Sequence, residues 1–176
     1  NEINTLLDYI FYQFSKKKKF GNYECRNQNK LLNLRRAKDY GLEIPKSLIS
    51  TQKKELEKFK ISEKEIITKP IFEIYGSTDG EFHYFNYTQS VTDEMILEQK
   101  EKLFPQLFQQ RVEKKYELRI FFMYDKYFPL AIFNKTSEVD WRSNTNTKNF
   151  MRHVPFKLPE EVLEKLKKLM EQIGLN

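Results

Sequence analysis

Ile66-Ile67-Thr68-Lys69-Pro70 and, after a short apolar run, Gly76-Ser77-Thr78-Asp79-Gly80 decide the reading of this chain. The first stretch is β-rich and ends in a cation. The flanks Ile71-Phe72-Glu73-Ile74-Tyr75 and Phe82-His83-Tyr84-Phe85-Asn86-Tyr87 favour strands, so the glycines are expected at a hairpin tip between them. Glycine tolerates positive φ and lets an anion approach backbone N–H groups. A lysine beside such a turn supplies a point charge for a phosphate. Two of the five glycines in the chain fall here. A plain Asp-Gly turn is the bland alternative.

Composition narrows the field. At 176 residues the chain has about one domain's length, enough to bury roughly 70% of its unfolded surface. With 39% hydrophobic and 15% aromatic residues it does not read as disordered, although 32% is charged. No apolar run is long enough to span a bilayer, so no membrane partner is expected. Cys25 is the only cysteine, which leaves no disulfide framework and no cysteine-based zinc site. A cytoplasmic location is the default expectation. The net charge of +6 suits an anionic partner: nucleotide, RNA or acidic peptide. Lys16–Lys19 is the densest basic run and reads as a solvated helix end.

Outward from the centre the organisation is mixed. Ile3, Leu6, Leu7, Ile10, Phe11 and Phe14 form a helical stripe. A helix is expected over residues 29–40, stopped by Gly41, then a strand over 45–50 and a Lys/Glu helix over 51–59. Strands follow around 65–75 and 81–89, and a helix over 92–102 with Thr92 as N-cap. Three more strands are expected at 107–112, 116–124 and 127–134, the last two joined by a turn at Asp125-Lys126. Val162, Leu163, Leu166, Leu169, Met170 and Ile173 mark a closing amphipathic helix over 159–173, stopped by Gly174. The fold class is α+β, in two consecutive lobes that break near Phe104-Pro105. The chain opens on Asn1 and closes two residues after Gly174, so both ends read as cut from a longer protein.

Several chemistries find no support. There is no H-E-x-x-H, no nucleophile elbow and no P-loop. His83 sits in an aromatic strand and reads as packed. His153, after Arg152 in an expected loop, is a candidate anion contact.

The order of five elements goes further. Asn29-Lys30 opens a helix leading through Ala37 to Gly41 and Pro45; then come Lys69-Pro70, Gln109-Gln110-Arg111-Val112, Glu117-Leu118-Arg119, and Asp140-Trp141-Arg142-Ser143-Asn144. This series resembles the ATP-grasp ligases over nearly all of residues 28–176. Gly-Leu-Glu-Ile-Pro, Ile-Thr-Lys-Pro, Lys-Tyr-Glu-Leu-Arg-Ile-Phe and Val-Asp-Trp-Arg look like its peptide-modifying branch, the microviridin-type ligases and grasp-with-spasm maturases. The resemblance implies an ATP-grasp fold of two α+β lobes with the nucleotide between them. Residues 1–27 would be a remnant of a preceding region, 28–105 the first lobe and 106–176 part of the second.

The resemblance also implies roles. Lys30 and Lys69 match lysines that hold ATP phosphates, where cations offset charge as the terminal phosphoryl moves. Gly76, Ser77, Thr78 and Gly80 match the loop that covers the triphosphate. Gln109, Gln110, Arg111 and Val112 match the hinge whose backbone meets adenine; the second glutamine departs from the usual Gln-Glu. Glu117 matches the acceptor of the ribose hydroxyls. Arg119 and Arg142 match arginines at the reaction centre, with Ser143 and Asn144 beside the phosphates. Asp140 matches an aspartate near the substrate acceptor. Catalytic roles would thus fall to Arg119, Arg142 and Asp140.

The implied reaction activates an Asp or Glu side chain of a ribosomal precursor peptide as an acyl phosphate. A hydroxyl or amine of the same peptide then attacks, giving an ω-ester or ω-amide. ATP and Mg2+ are the implied cofactors, with the magnesium carboxylates expected beyond residue 176; this chain alone is expected to be inactive. The implied partner is the precursor, a leader with an acidic core, its leader docking on the 92–102 helix; a second copy of the chain is kept as a further partner. Two rivals stand beside this reading. One is another ATP-grasp ligase, such as an enzyme adding glutamate to a protein. The other is a basic nucleic-acid-binding module stacking bases on Tyr84, Phe85 and Tyr87; it is disfavoured because no RNP-type motif is present.

Overall fold

Residues 1–17, 29–71, 76–80, 82–85, 87–123, 126–134, 139 and 151–174 are described by the computed structural model. In chain order the first elements are α1 (Glu2–Ser15), α2 (Lys30–Asp39), β1 (Ser47–Gln52), α3 (Lys53–Glu63), β2 (Ile66–Lys69), β3 (Gly76–Asp79) and β4 (Phe82–Phe85). Then follow β5 (Gln89–Ser90), α4 (Asp93–Leu97), β6 (Lys102–Gln110), β7 (Glu117–Met123), β8 (Lys126–Asn134), β9 (Met151–Pro155) and α5 (Glu160–Gln172). They divide into two compact units. One comprises Asn1–Glu43, Leu118–Leu130 and Pro155–Asn176, the other Ile44–Glu117 and Ala131–Val154. A three-stranded sheet has the order β7-β8-β9.

The second unit is built on a four-stranded sheet of order β1-β6-β2-β5, antiparallel throughout. Side chains alternate across a strand, so the register sorts residues onto faces. Leu48, Ile66 and Phe108 share one face and meet Leu56 of α3 and Ile96 of α4 in the core, with Val91 and Leu103. Two lysines of α3 hold the segment around α4. Lys60 Nζ donates to Val91 O at 3.0 Å, and Lys53 Nζ to Leu97 O at 2.9 Å and Gln99 O at 3.1 Å. Cations at the last carbonyls of a helix satisfy groups that have no helical partner. Helix α4 therefore stops at Leu97, well short of the expected 92–102. Its start is as expected, with the Thr92 hydroxyl accepting from Met95 N–H at 3.2 Å.

Strand β6 runs unbroken through Phe104-Pro105. The β1 register shifts between Ser50 and Gln52, opposite this stretch, and proline is tolerated in a sheet at such a bulge.

In the first unit α2 begins where the sequence predicts. Asn29 Oδ1 accepts from the N–H groups of Leu31 and Leu32 at 3.0 and 3.1 Å. The helix closes on Gly41 at φ +75, with Gly41 N–H to Lys38 O and Leu42 N–H to Ala37 O, both 2.9 Å. These two bonds are a Schellman motif, for which glycine at positive φ is the favoured residue. Helix α2 packs on α5, and Tyr40 Oη lies 3.3 Å from Gln172 Oε1. Helix α5 buries Leu169 and ends before Gly174 at φ +73, as expected. Helix α1 forms over its predicted stripe, yet it buries none of its residues.

Two expectations need correction. Gly76-Ser77-Thr78-Asp79 is not a hairpin tip but strand β3, paired with β4 from Gly76↔Phe85 to Asp79↔Phe82. The tip narrows to the two residues between those strands, where Gly80 takes φ +60. His153 lies in strand β9, not a loop. Among the described residues no helix is long and apolar enough to cross a membrane.

Candidate functional site

The sheet face opposite the core carries the candidate residues of the second unit. Ile67 pairs with Gln109 and Lys69 with Leu107, while on the other side of β6 Ser47 pairs with Gln109 and Ile49 with Leu107. Ser47, Ile67, Lys69 and Gln109 therefore share one face. Lys69 is the last residue of β2. Pro70 follows with no N–H to continue the ladder, so the cation stands at a strand exit. Ile66, three residues earlier, pairs with Gln110. At the usual rise per residue Lys69 thus stands about 10 Å along the sheet from the end of β6.

That end is tied on both sides. Gln110 N–H donates to Lys46 O and Arg111 N–H to Glu65 O, each at 2.9 Å. The Arg111 guanidinium also pairs with the Glu65 carboxylate at 3.6 Å. Gln109 is only 1% exposed, and its Nε2 donates to Ser47 Oγ at 2.7 Å. The next donor along the chain is the N–H of Val112, a residue 60% exposed that makes no hydrogen bond among the described residues. Of the four hinge residues predicted from sequence, Val112 is thus the one whose backbone donor stays open to a ligand.

Beyond the hinge, the half-buried carboxylate of Glu117 accepts from Lys114 Nζ at 3.0 Å, and Lys114 also reaches Val139 O at 3.5 Å. Arg152 lies over the Phe133 ring at 5.0 Å, and Tyr116 tilts against the same ring at 5.5 Å. Near the start of the sheet Lys46 Nζ meets Glu63 Oε1 at 3.0 Å. That hydrogen bond, then one from the Ser62 hydroxyl, holds the Glu63 carboxyl below its usual range.

The other predicted residues are placed as follows. Lys30 is the first residue of α2 and half-buried; Arg119 is exposed on β7, and both belong to the first unit. A cation in the first helical turn opposes the helix dipole. Gly76, Ser77 and Thr78 lie in β3, with Gly80 in the connection to β4. Asp140, Arg142, Ser143 and Asn144 lie outside the described residues. Among the described residues no three His, Cys, Asp or Glu side chains gather to hold a metal ion. Ser47 and Lys114 were missed from sequence. Ser47 meets Gln109 across 62 positions through strand register, which no local pattern reveals.

Comparison with known proteins follows this geometry. Residues 31–175 match the family model described as prokaryotic glutathione synthetase, ATP-grasp domain. No curated protein matches the chain. Among solved structures, macrocyclase MdnC from Microcystis aeruginosa MRC, bound with precursor peptide MdnA, is 26% identical with a TM-score of 0.67. That match covers 84% of this chain and 46% of MdnC. A Chryseobacterium gregarium RiPP-associated ATP-grasp ligase, in complex with ADP and a leader and core peptide, superposes with a TM-score of 0.78 at 20% identity. It covers 98% of this chain and 54% of the ligase. Macrocyclase MdnB, also from Microcystis aeruginosa MRC, has a TM-score of 0.68 at 23% identity, covering 99% of this chain and 53% of its own. The chain thus spans about half the length of these structures. From the family match and the shared fold, the chain belongs to the ATP-grasp family, and its α+β architecture is the ATP-grasp fold.

Proposed function

We propose that this chain carries the nucleotide-binding part of an ATP-dependent ligase that modifies a ribosomal precursor peptide. The observation that carries the reading is one sheet face with a cation at the exit of β2 and, about 10 Å along it, the end of β6 at Gln110, two residues before the open N–H of Val112. A nucleotide needs both ends: backbone groups for the edge of the base and positive charge for the phosphates. The likeness to a macrocyclase bound with its precursor peptide supports the choice of substrate class.

In this reading Val112 N–H and the neighbouring carbonyls meet adenine, Glu117 accepts from the ribose hydroxyls, and Lys69 and Lys30 offset the phosphate charge. Arg119 and Arg142 grip the transferred group in two-point fashion, which a lysine cannot reproduce. Ser143 and Asn144 stand beside the phosphates, and Asp140 orients or deprotonates the attacking group. The β3–β4 hairpin closes over the triphosphate. An Asp or Glu side chain of the precursor becomes an acyl phosphate, and a hydroxyl or amine of the same peptide displaces phosphate to give an ω-ester or ω-amide. Water must be kept from the acyl phosphate meanwhile. Magnesium would accompany the triphosphate, with its carboxylates supplied from outside the described residues. The leader is assigned to α4, where Met95 and Gln99 border a small recess over Leu56, Thr68 and Phe108.

The test is to incubate the protein in its natural full length with ATP, magnesium and a leader-bearing acidic peptide and to read the product mass. Loss of one water per linkage, absent in Lys69→Ala, is the expected result. A mass gain equal to an added amino acid would move the chain to a different ligase class. No change in mass and no nucleotide binding would overturn the reading.

A further inference from the structure

We infer that Ser47 is a positioning residue for the base-recognising end of the nucleotide site. The inference rests on the nucleotide reading of the hinge and adds to it a residue outside the 109–112 stretch. Ser47 Oγ donates its one proton to Pro45 O at 2.9 Å. Toward Gln109 it can therefore only accept, and the Gln109 amide must present Nε2 to it, as observed at 2.7 Å. The relay runs from Gln109 Nε2 through Ser47 Oγ to the carbonyl of Pro45, the residue at which the chain turns into β1.

Burial makes this relay matter. Gln109 is 1% exposed while Ser47 is exposed, so without the hydroxyl only mobile water entering beside Ser47 replaces the fixed acceptor. A donor held by a mobile water in place of a fixed hydroxyl no longer pins the strand end. The strand end is the hinge. The Gln110 and Arg111 N–H bonds tie its backbone to Lys46 and Glu65. The Ser47–Gln109 bond is the side-chain tie at the residue before them. Shifting it moves Val112, and with it the donor offered to the base, while Lys69 on β2 keeps its place.

The proposal separates base from phosphate, and so does its test. ATP and inorganic tripolyphosphate are titrated against the full chain by calorimetry, for the unsubstituted protein, Ser47→Ala and Ser47→Thr. Ser47→Ala is expected to weaken ATP about tenfold while tripolyphosphate stays within about twofold. Ser47→Thr, which keeps the hydroxyl and suits a strand, is expected to restore ATP. Parallel weakening of both ligands, or unchanged ATP affinity in Ser47→Ala, would overturn the role of Ser47 while leaving the nucleotide site intact. If the unsubstituted protein binds neither ligand, the nucleotide reading and this inference fall together.

Discussion

The two faces of the β1-β6-β2 sheet are made by alternate residues of the same strands, yet they differ in kind. One face lays Leu48, Ile66 and Phe108 against Leu56 and Ile96 and is dry. The other presents Ser47, Ile67, Lys69, Leu107 and Gln109. Recognition is proposed for the second, where Leu107 and Gln109 are themselves buried and Lys69 stands at the strand exit. A slip of one residue in register would exchange them, which is why register is strongly fixed where one face is buried. The sheet therefore holds its chemistry in place by packing its back.

The comparison breaks first at the core. Leu56→Ala, at a side chain 1% exposed, is expected to cost about 2–5 kcal/mol by urea unfolding. Nucleotide affinity of the folded fraction should be retained, because Leu56 does not touch the recognition face. On that other face Lys69→Ala is expected to reverse the pattern. Loss of a charged contact worth about 1.5–3 kcal/mol lowers nucleotide affinity roughly ten- to hundredfold, with a smaller loss of stability than Leu56→Ala. A large stability loss in Lys69→Ala would show that the two faces are not separable.

The smallest effect concerns Glu63, whose carboxyl is held below its usual range first by the hydrogen bond from Lys46. A carboxyl lowered in the folded state stabilises above its unfolded value, about 4.3, and that contribution fades as pH falls through the lower folded value. Lys46→Met should therefore be slightly less stable than the unsubstituted protein near neutral pH, and the gap should close in acid as the carboxyl protonates in the folded state. Paired urea titrations across that range read the difference. A gap that persists in acid would assign the Lys46 effect to packing of its stem.

Sequence carried most of the helices and placed Lys69 and the 109–112 stretch at strand ends, where the proposed site lies. Asn29 and Gly41 bracket α2 because capping is local chemistry, and the apolar spacing of α5 survives in the fold. Lys69-Pro70 marked a strand exit for the same reason. What failed was decided by partners distant in sequence. Gly76-Ser77-Thr78-Asp79 has weak strand preference, and pairing with 82–85 overrides it. Helix α4 was drawn too long because nothing local announces that Lys53, more than forty residues away, takes the carbonyls of Leu97 and Gln99. Met151–Pro155 offers little strand pattern and joins the sheet beside β8. The hinge was legible as a stretch, but which of its N–H groups stays open was not. That depends on Lys46 and Glu65 engaging Gln110 and Arg111.

Amide hydrogen exchange of the chain with and without ATP tests the central claim most directly, because it reads both faces at once. Protection at residues 66–69 and 107–112 and at the other proposed nucleotide contacts, strongest at the Val112 amide, with α3 and α4 unchanged, is the predicted result. Protection spread over α3 and α4 with none at 107–112, or no change anywhere at saturating ATP, would contradict it.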